Sequence, residues 1–159
     1  MADNAALANR RVTQDGRFRV GFFLRRIYQK NQKIWLAHCP DPSLTSVQAG
    51  VLTVLLNAGS CSLSELGAAA AIDLSTVRGV TERLRRRKLV SLRKDKDDAR
   101  KVIVHLEPSG REKILELIPI MRVIADATLH PLNPAERIAL EYLIQKLIAD
   151  EDDAPAETG

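Results

Sequence analysis

The side chains with most to offer chemically are cationic and crowded together: Arg78, Arg83, Arg85, Arg86, Arg87, Lys88, Arg93, Lys94, Arg100 and Lys101 follow one another within a short stretch. Guanidinium and ammonium groups make and break no bonds alone. They donate charge-assisted hydrogen bonds to phosphates and, for arginine, a bidentate pair to the edge of guanine. Ser75 and Thr76 lie just upstream and add hydroxyl donors. The whole chain carries a net charge of only +4, so this density is local, and Asp150, Glu151, Asp152, Asp153 and Glu157 balance it at the other end. A polyanion-binding face followed by a solvated acidic tail fits that asymmetry.

Other chemistries lack their residues. No nucleophile elbow, phosphate-cradling glycine loop or paired-carboxylate setting occurs, so no catalytic activity and no cofactor are expected. His38, His105 and His130 are scattered without neighbouring ligands, which argues against a metal site. Cys39 and Cys61 are too far apart in sequence for a CxxC pair and are expected to be free, inert thiols. No apolar run approaches the roughly 18 to 20 residues of a membrane span, and the N-terminus carries no signal-peptide pattern, so a cytoplasmic location is expected.

The elements that must present these cations can be read from periodicity and caps. Aromatics make up only 4% of a chain whose apolar residues total 45%, mostly Leu, Ile, Val and Ala, a profile that favours helix. Residues 1 to 15 show no sustained period and are expected to be a loose arm. A helix is expected from about Arg17 to Ala37, with Phe22, Phe23, Ile27, Ile34 and Trp35, ended by Pro40 and Pro42. Thr45 with Gln48, and Ser62 with Glu65, are capping-box pairs that open two further helices. After a break at Asp73, the segment Leu74 to Arg87 puts Leu74, Val77, Val80, Thr81 and Leu84 on one face and Ser75, Thr76, Arg78, Gly79, Arg83 and Arg86 on the others. Short helix, short turn and amphipathic helix make a helix-turn-helix. Leu89 to Arg93 and Val102 to Leu106 flank a charged tip, Lys94 to Lys101, as a β-hairpin. A long helix opens at Glu107-Pro108, with a kink expected at Pro119, and Asn133-Pro134 with Glu136 opens the last one. The expected fold is therefore mainly α with a small β-wing: a winged helix-turn-helix with six helices.

Asp95-Lys96-Asp97-Asp98-Ala99-Arg100 resembles the D-P-x-D-x-R wing signature of the MarR (multiple antibiotic resistance regulator) family. Leu44-Thr45 with Gln48 and Leu52, Leu63-Ser64-Glu65-Leu66, Ser75-Thr76-Val77, Leu84 and Leu89-Val90 are similar to that family's helix-turn-helix pattern. Leu106-Glu107-Pro108-Ser109-Gly110 looks like the L-T-x-x-G opening of its dimer helix. The resemblance covers roughly Phe18 to Ala149. Lys96 replaces the usual wing proline, Glu107 replaces threonine, and Lys88 stands where glycine is common, which puts a non-glycine residue into a left-handed or otherwise costly turn.

The resemblance implies a dimer formed by the first helix and the last two, with an effector pocket between the helical and DNA-binding lobes. The lengths of the apolar stripes point to a partner subunit independently, since one small helix-turn-helix cannot bury them. Residues 16–43 and 107–149 are thus assigned to a helical dimerisation region, 44–106 to the DNA-binding region and 150–159 to an acidic disordered tail. In the DNA-binding region Ser75, Thr76, Arg78, Gly79, Arg83, Arg86, Lys94, Asp98, Arg100 and Lys101 are the candidate contacts. Arg78 is the candidate for a guanine. Arg83, Arg85, Arg86 and Arg87 are expected to meet phosphates, and Arg100, held by Asp98, the minor groove. Arg25, Arg26, Tyr28, Trp35 and His38 lie where the family's pocket has a wall and suit an aromatic carboxylate or its coenzyme A thioester.

The expected function is a ligand-responsive regulator, a repressor that binds double-stranded, pseudo-palindromic operator DNA as a homodimer and is released by a small effector. The alternatives are a winged-helix protein-interaction adaptor and an effector-independent architectural DNA binder.

Overall fold

The computed structural model describes residues 19–98 and 100–152. The expected arm, 1–15, and the end of the acidic tail, 153–159, lie outside them. Helix α1 spans Arg19–His38 and α2 spans Ser46–Ala58; the short strand β1, Ser60–Ser62, leads into α3, Leu63–Ala69, and α4, Leu74–Arg86. Strands β2, Val90–Lys94, and β3, Val102–Leu106, precede the long α5, Pro108–Leu129, and α6, Pro134–Asp152.

Caps set most of these boundaries. Both capping boxes form: Thr45 Oγ1 accepts from Gln48 N–H while the Gln48 side chain accepts from Thr45 N–H, and Ser62 and Glu65 do the same. Each box satisfies two of the amides that a helix start leaves unpaired. Asn133 and Glu136 exchange the same pair of bonds, at 2.8 and 3.0 Å, at the start of α6. Pro108 occupies the first turn of α5, where its missing N–H costs nothing. Helix α6 runs to Asp152, into the stretch expected to be an acidic tail. Pro119 lies inside α5, and the helix continues on both sides of it.

The sheet is antiparallel with order β1-β3-β2. The hairpin expected from sequence is β2 and β3, paired from Val90↔Leu106 to Lys94↔Val102. The third strand was not expected: Ser60, Cys61 and Ser62 pair with His105, Val104 and Ile103. It anchors the hairpin to the start of α3, so the wing's base is fixed relative to the helix-turn-helix.

One core runs under the three central helices and the inner sheet face. Leu52, Leu55, Leu66, Val77, Leu84, Val104 and Ile114 are fully buried, joined by Leu44, Val90 and Leu117. The buried face of α4 is Val77, Val80, Thr81 and Leu84, as its periodicity requires; Leu74, expected on that face, is exposed because it sits in the first turn, beyond the edge of the core. Helices α1 and α6 behave differently. Of α1 only Trp35 is buried, and Phe22, Phe23, Leu24, Ile27 and Tyr28 stand exposed, as do Ile138, Tyr142, Leu143, Leu147 and Ile148 of α6. Among the described residues α6 packs extensively against no other element.

Candidate nucleic-acid interface

Helix α4 is N-capped by Asp73, whose carboxylate accepts from Thr76 N–H at 2.9 Å and from the hydroxyls of Ser75 and Thr76. Those bonds, Ser75's first, hold the Asp73 carboxyl well below the ordinary carboxylate range. The two hydroxyls expected to reach DNA thus have their protons committed to the cap. They remain acceptors, and as donors to phosphate they would have to leave Asp73.

Arg78, one turn on, is exposed, and the cleft it lines, of about 280 Å³, also takes in Ser62, Ser64, Leu74, Arg100, Lys101 and Val102. Three cations from α4 and the wing therefore converge across the start of α3. Gly79 is half-buried, and a side chain there would meet the Arg83 guanidinium. Arg83 is exposed and makes no ion pair among the described residues. Arg85 and Arg86 share Glu82, at 2.8 and 3.2 Å, and the Arg85 bonds are the main cause that pulls the Glu82 carboxyl down to about 2. Both guanidiniums remain exposed, with N–H groups to spare. Arg87 departs from expectation: its guanidinium turns inward to Asp41 and its side chain is only 29% exposed, so it is no phosphate ligand in this conformation.

The wing tip is built on carboxylates. Asp95 Oδ1 accepts from the amides of Asp97 and Asp98, at 2.9 and 3.0 Å, and Asp95 N–H donates to Lys101 O at 3.0 Å. These bonds close the turn that the absent proline would otherwise stiffen, and they hold the Asp95 carboxyl low. Asp98 Oδ1 accepts from Arg100 N and Nε at 3.0 and 3.2 Å, the restraint expected of it, while the Arg100 side chain stays 92% exposed. Lys94 and Lys101 flank it, exposed. A second cleft, of about 490 Å³, lies on the outer sheet face between Glu65, Arg93, Lys94, Lys96 and His105; sequence alone did not group these residues, which only the β1-β3-β2 order brings together.

The five effector candidates do not converge. Trp35 is 5% exposed and its indole N–H donates to Leu44 O at 3.0 Å, so its polar group is spent within the protomer core. His38 is exposed with Nδ1 2.9 Å from Ile34 O. Arg25 and Tyr28 are exposed on α1 away from its open groove. Only Arg26 lines that groove, which measures about 750 Å³ and adds Phe23, Ile27, Lys30, Lys33 and Ile34. Arg26 also lies over the Phe22 ring at 5.7 Å.

Both thiols are half-buried and free. Burial, with the Glu65 charge, pushes the Cys61 thiol up, so it stays protonated and unreactive at neutral pH. Cys39 Sγ donates to Asp41 O at 3.3 Å. Among the described residues no group of His, Cys, Asp and Glu is placed to hold a metal, and no helix is long and apolar enough to cross a membrane.

A capped, cation-bearing second helix, a short first helix and a hairpin with an arginine at its tip define a winged helix-turn-helix, a DNA-binding class. Residues 44–102 match the MarR family model. The chain is 42% identical over 135 residues, 85% of each chain, to the HTH-type transcriptional repressor NicR of Pseudomonas putida. Among solved structures it is similar to BpsR of Bordetella bronchiseptica, whose DNA binding is regulated by 6-hydroxynicotinic acid, at 46% identity and a TM-score of 0.77 over 81% of this chain and 98% of that one. PcaV of Streptomyces coelicolor, in complex with its natural ligand, matches at 26% identity and a TM-score of 0.77 over 84% and 94%. The chain belongs to the MarR family of DNA-binding transcriptional regulators.

Proposed function

We propose that the chain is a repressor and not an enzyme, acting in the cytoplasm on a pseudo-palindromic operator that it binds as a homodimer. The observation that carries this reading is the convergence of Arg78, Arg100 and Lys101 on one cleft beside the exposed start of α4. A helix fits the major groove, about 12 Å wide, and only there does each base pair show a distinct pattern. Arg78 reads a guanine there; Arg83 and Arg86, with Lys94 and Lys101, meet phosphates; Arg100, held by Asp98, follows the minor groove. Ser75 and Thr76 shape the helix start, and Gly79 lets α4 approach closely.

The released state is stabilised by an aromatic monocarboxylate, with 6-hydroxynicotinic acid as the first compound to try because it regulates BpsR. Arg26, Lys30 and Lys33 supply cations and Phe23 a ring on one wall of the site, and a second protomer completes it. The assignment of residues 16–43 and 107–149 to dimerisation and 44–106 to DNA binding is supported by the exposed apolar residues of α1 and α6.

The test is selection of binding sites from random duplex DNA with the purified protein at fixed salt. The expected result is a two-fold symmetric consensus, relaxed at one base per half-site by Arg78→Ala, a change worth roughly 1 to 3 kcal/mol of discrimination, and weakened at every sequence by Arg100→Ala. Addition of 6-hydroxynicotinic acid then releases the selected duplex. Enrichment of no site would overturn the reading in favour of an adaptor.

A further inference from the structure

The Arg87–Asp41 pair differs from the other ion pairs around the interface. Those on α4 and the wing join residues two to four positions apart; this one joins residues 46 positions apart, with side chains 29% and 18% exposed. It ties the C-terminal end of α4 to the loop between α1 and α2. The carboxylate is held from behind, because Asp41 Oδ1 accepts from Ser43 Oγ at 2.6 Å and Ser43 N–H at 3.1 Å, leaving Oδ2 to Arg87. Those bonds, Ser43's first and Arg87's next, hold the Asp41 carboxyl below its ordinary range. The loop itself is pinned by Leu44 N–H and the Cys39 thiol, both donating to Asp41 O.

The other side of α4's end is equally constrained. Arg87 is its C-cap residue, Lys88 follows in the left-handed region at φ 60°, and Leu89 O accepts from Glu107 N–H at 3.1 Å. Ser109 Oγ donates to Lys88 O at 2.7 Å, and Gly110 lies so close that a Cβ there would come within 2.0 Å of Leu89 O. The end of α4 is thus held between the α1–α2 loop and the start of α5. As a stabiliser the ion pair is poor, since Arg87 Nη1 is buried without a partner, and such a pair commonly does no better than apolar residues of the same volume. What it supplies is direction.

We infer that Asp41 and Arg87 are positioning residues for DNA recognition, the ion pair fixing the angle at which α4 leaves the helical lobe and thereby the pose of Arg78. Neither side chain touches DNA. The inference rests on the reading of α4 as the helix that enters the groove, and it assigns a DNA-binding consequence to an acidic residue far in sequence from the cationic cluster.

That acidic residue gives an opposed pair of expectations. Asp41→Asn removes a negative charge from a DNA-binding protein, which by electrostatics alone tightens binding to every duplex. Loss of positioning does the reverse for the selected operator. The experiment measures Kd for the selected duplex and for a random-sequence duplex at one salt concentration, together with Tm, for wild type, Asp41→Asn, Arg87→Gln and the exchanged pair Asp41→Arg with Arg87→Asp. Asp41→Asn is expected to weaken operator binding on the order of tenfold, inside the usual range of coupling between sites, with random-duplex binding equal or tighter. The exchanged pair is expected to regain most of the loss. Operator binding by Asp41→Asn equal to or tighter than wild type overturns the inference. So does a parallel loss on both duplexes, with lowered Tm and no recovery in the exchanged pair, which marks a role in stability alone. If wild type selects no operator, the reading of α4 fails instead.

Discussion

At the scale of the residue, Lys88 is the clearest case of local strain held by its surroundings. Its φ of 60° places a side chain where the preceding carbonyl crowds Cβ, at a cost of roughly 1 to 2 kcal/mol. The turn persists because Lys88 N–H donates to Arg85 O, Leu89 N–H to Leu84 O and Ser109 Oγ to Lys88 O. Lys88→Gly keeps all three bonds and removes the strain, offset in part by the greater freedom of glycine in the unfolded chain. The expected result is a gain of about 0.5 to 1 kcal/mol, read by denaturant titration as a higher midpoint with an unchanged slope; a lower midpoint would show that the lysine stem contributes packing. Asp73 offers a test by pH. Its folded carboxyl titrates below the ordinary value near 3.9, so its stabilising cap is fully present above that value and is lost only as pH falls through the lower folded one. Its carboxyl resonance should therefore stay that of the ionised form through mildly acidic solution, down past the point where an exposed aspartate has protonated.

Among the elements, the wing and the start of α5 share one constraint. Gly110 is buried with Leu89 O in its path at 2.0 Å and Leu106 Cδ1 at 2.9 Å from any added Cβ. The obstacle at 2.0 Å is backbone, which cannot rotate away, so Gly110→Ala must push α5 off the turn between α4 and β2. A loss of about 3 kcal/mol or more is expected, at the upper end of overpacking costs, seen as a Tm lowered by roughly 6 °C or more; an unchanged Tm would mean that α5 has room to slide. This close approach was not visible in the chain, where Gly110 read only as part of a resemblance. What the sequence made legible was whatever depends on near neighbours: the capping boxes at Thr45 and Ser62, the buried face of α4, the two long strands, and the restraint of Arg100 by Asp98. What it hid depends on distant ones. Strand β1 is three residues long, too short to show a period, and exists only because β3 offers it an edge. Trp35 shared a stripe with Phe22 and Ile27, yet the α1–α2 loop folds Leu44 O onto its indole and takes it into the core. Arg87 belonged to a basic run until the same loop brought Asp41 against it.

For the whole molecule, the question is what covers α1 and α6. Six exposed apolar residues of α6, Ile138, Tyr142, Leu143, Ile144, Leu147 and Ile148, lie on a helix that packs extensively against no other element among the described residues, and Phe22, Phe23 and Ile27 are likewise exposed on α1. Exposed apolar residues in this number on two helices mark an interface. A second copy is the simplest cover, because the same surface on both protomers closes by two-fold symmetry, and the two α4 helices then face DNA together. Leu143→Lys combined with Leu147→Lys places two ammonium groups in that interface without touching the core around Leu52 and Leu117. Sedimentation velocity at micromolar concentration should show wild type as a dimer and the double variant as a monomer. Operator affinity should fall much further than affinity for a random duplex, because a monomer holds one half-site and forfeits the gain of linking two. A double variant that stays dimeric and binds the operator unimpaired would move the interface off α6, and the second copy would then have to be sought on α1 alone.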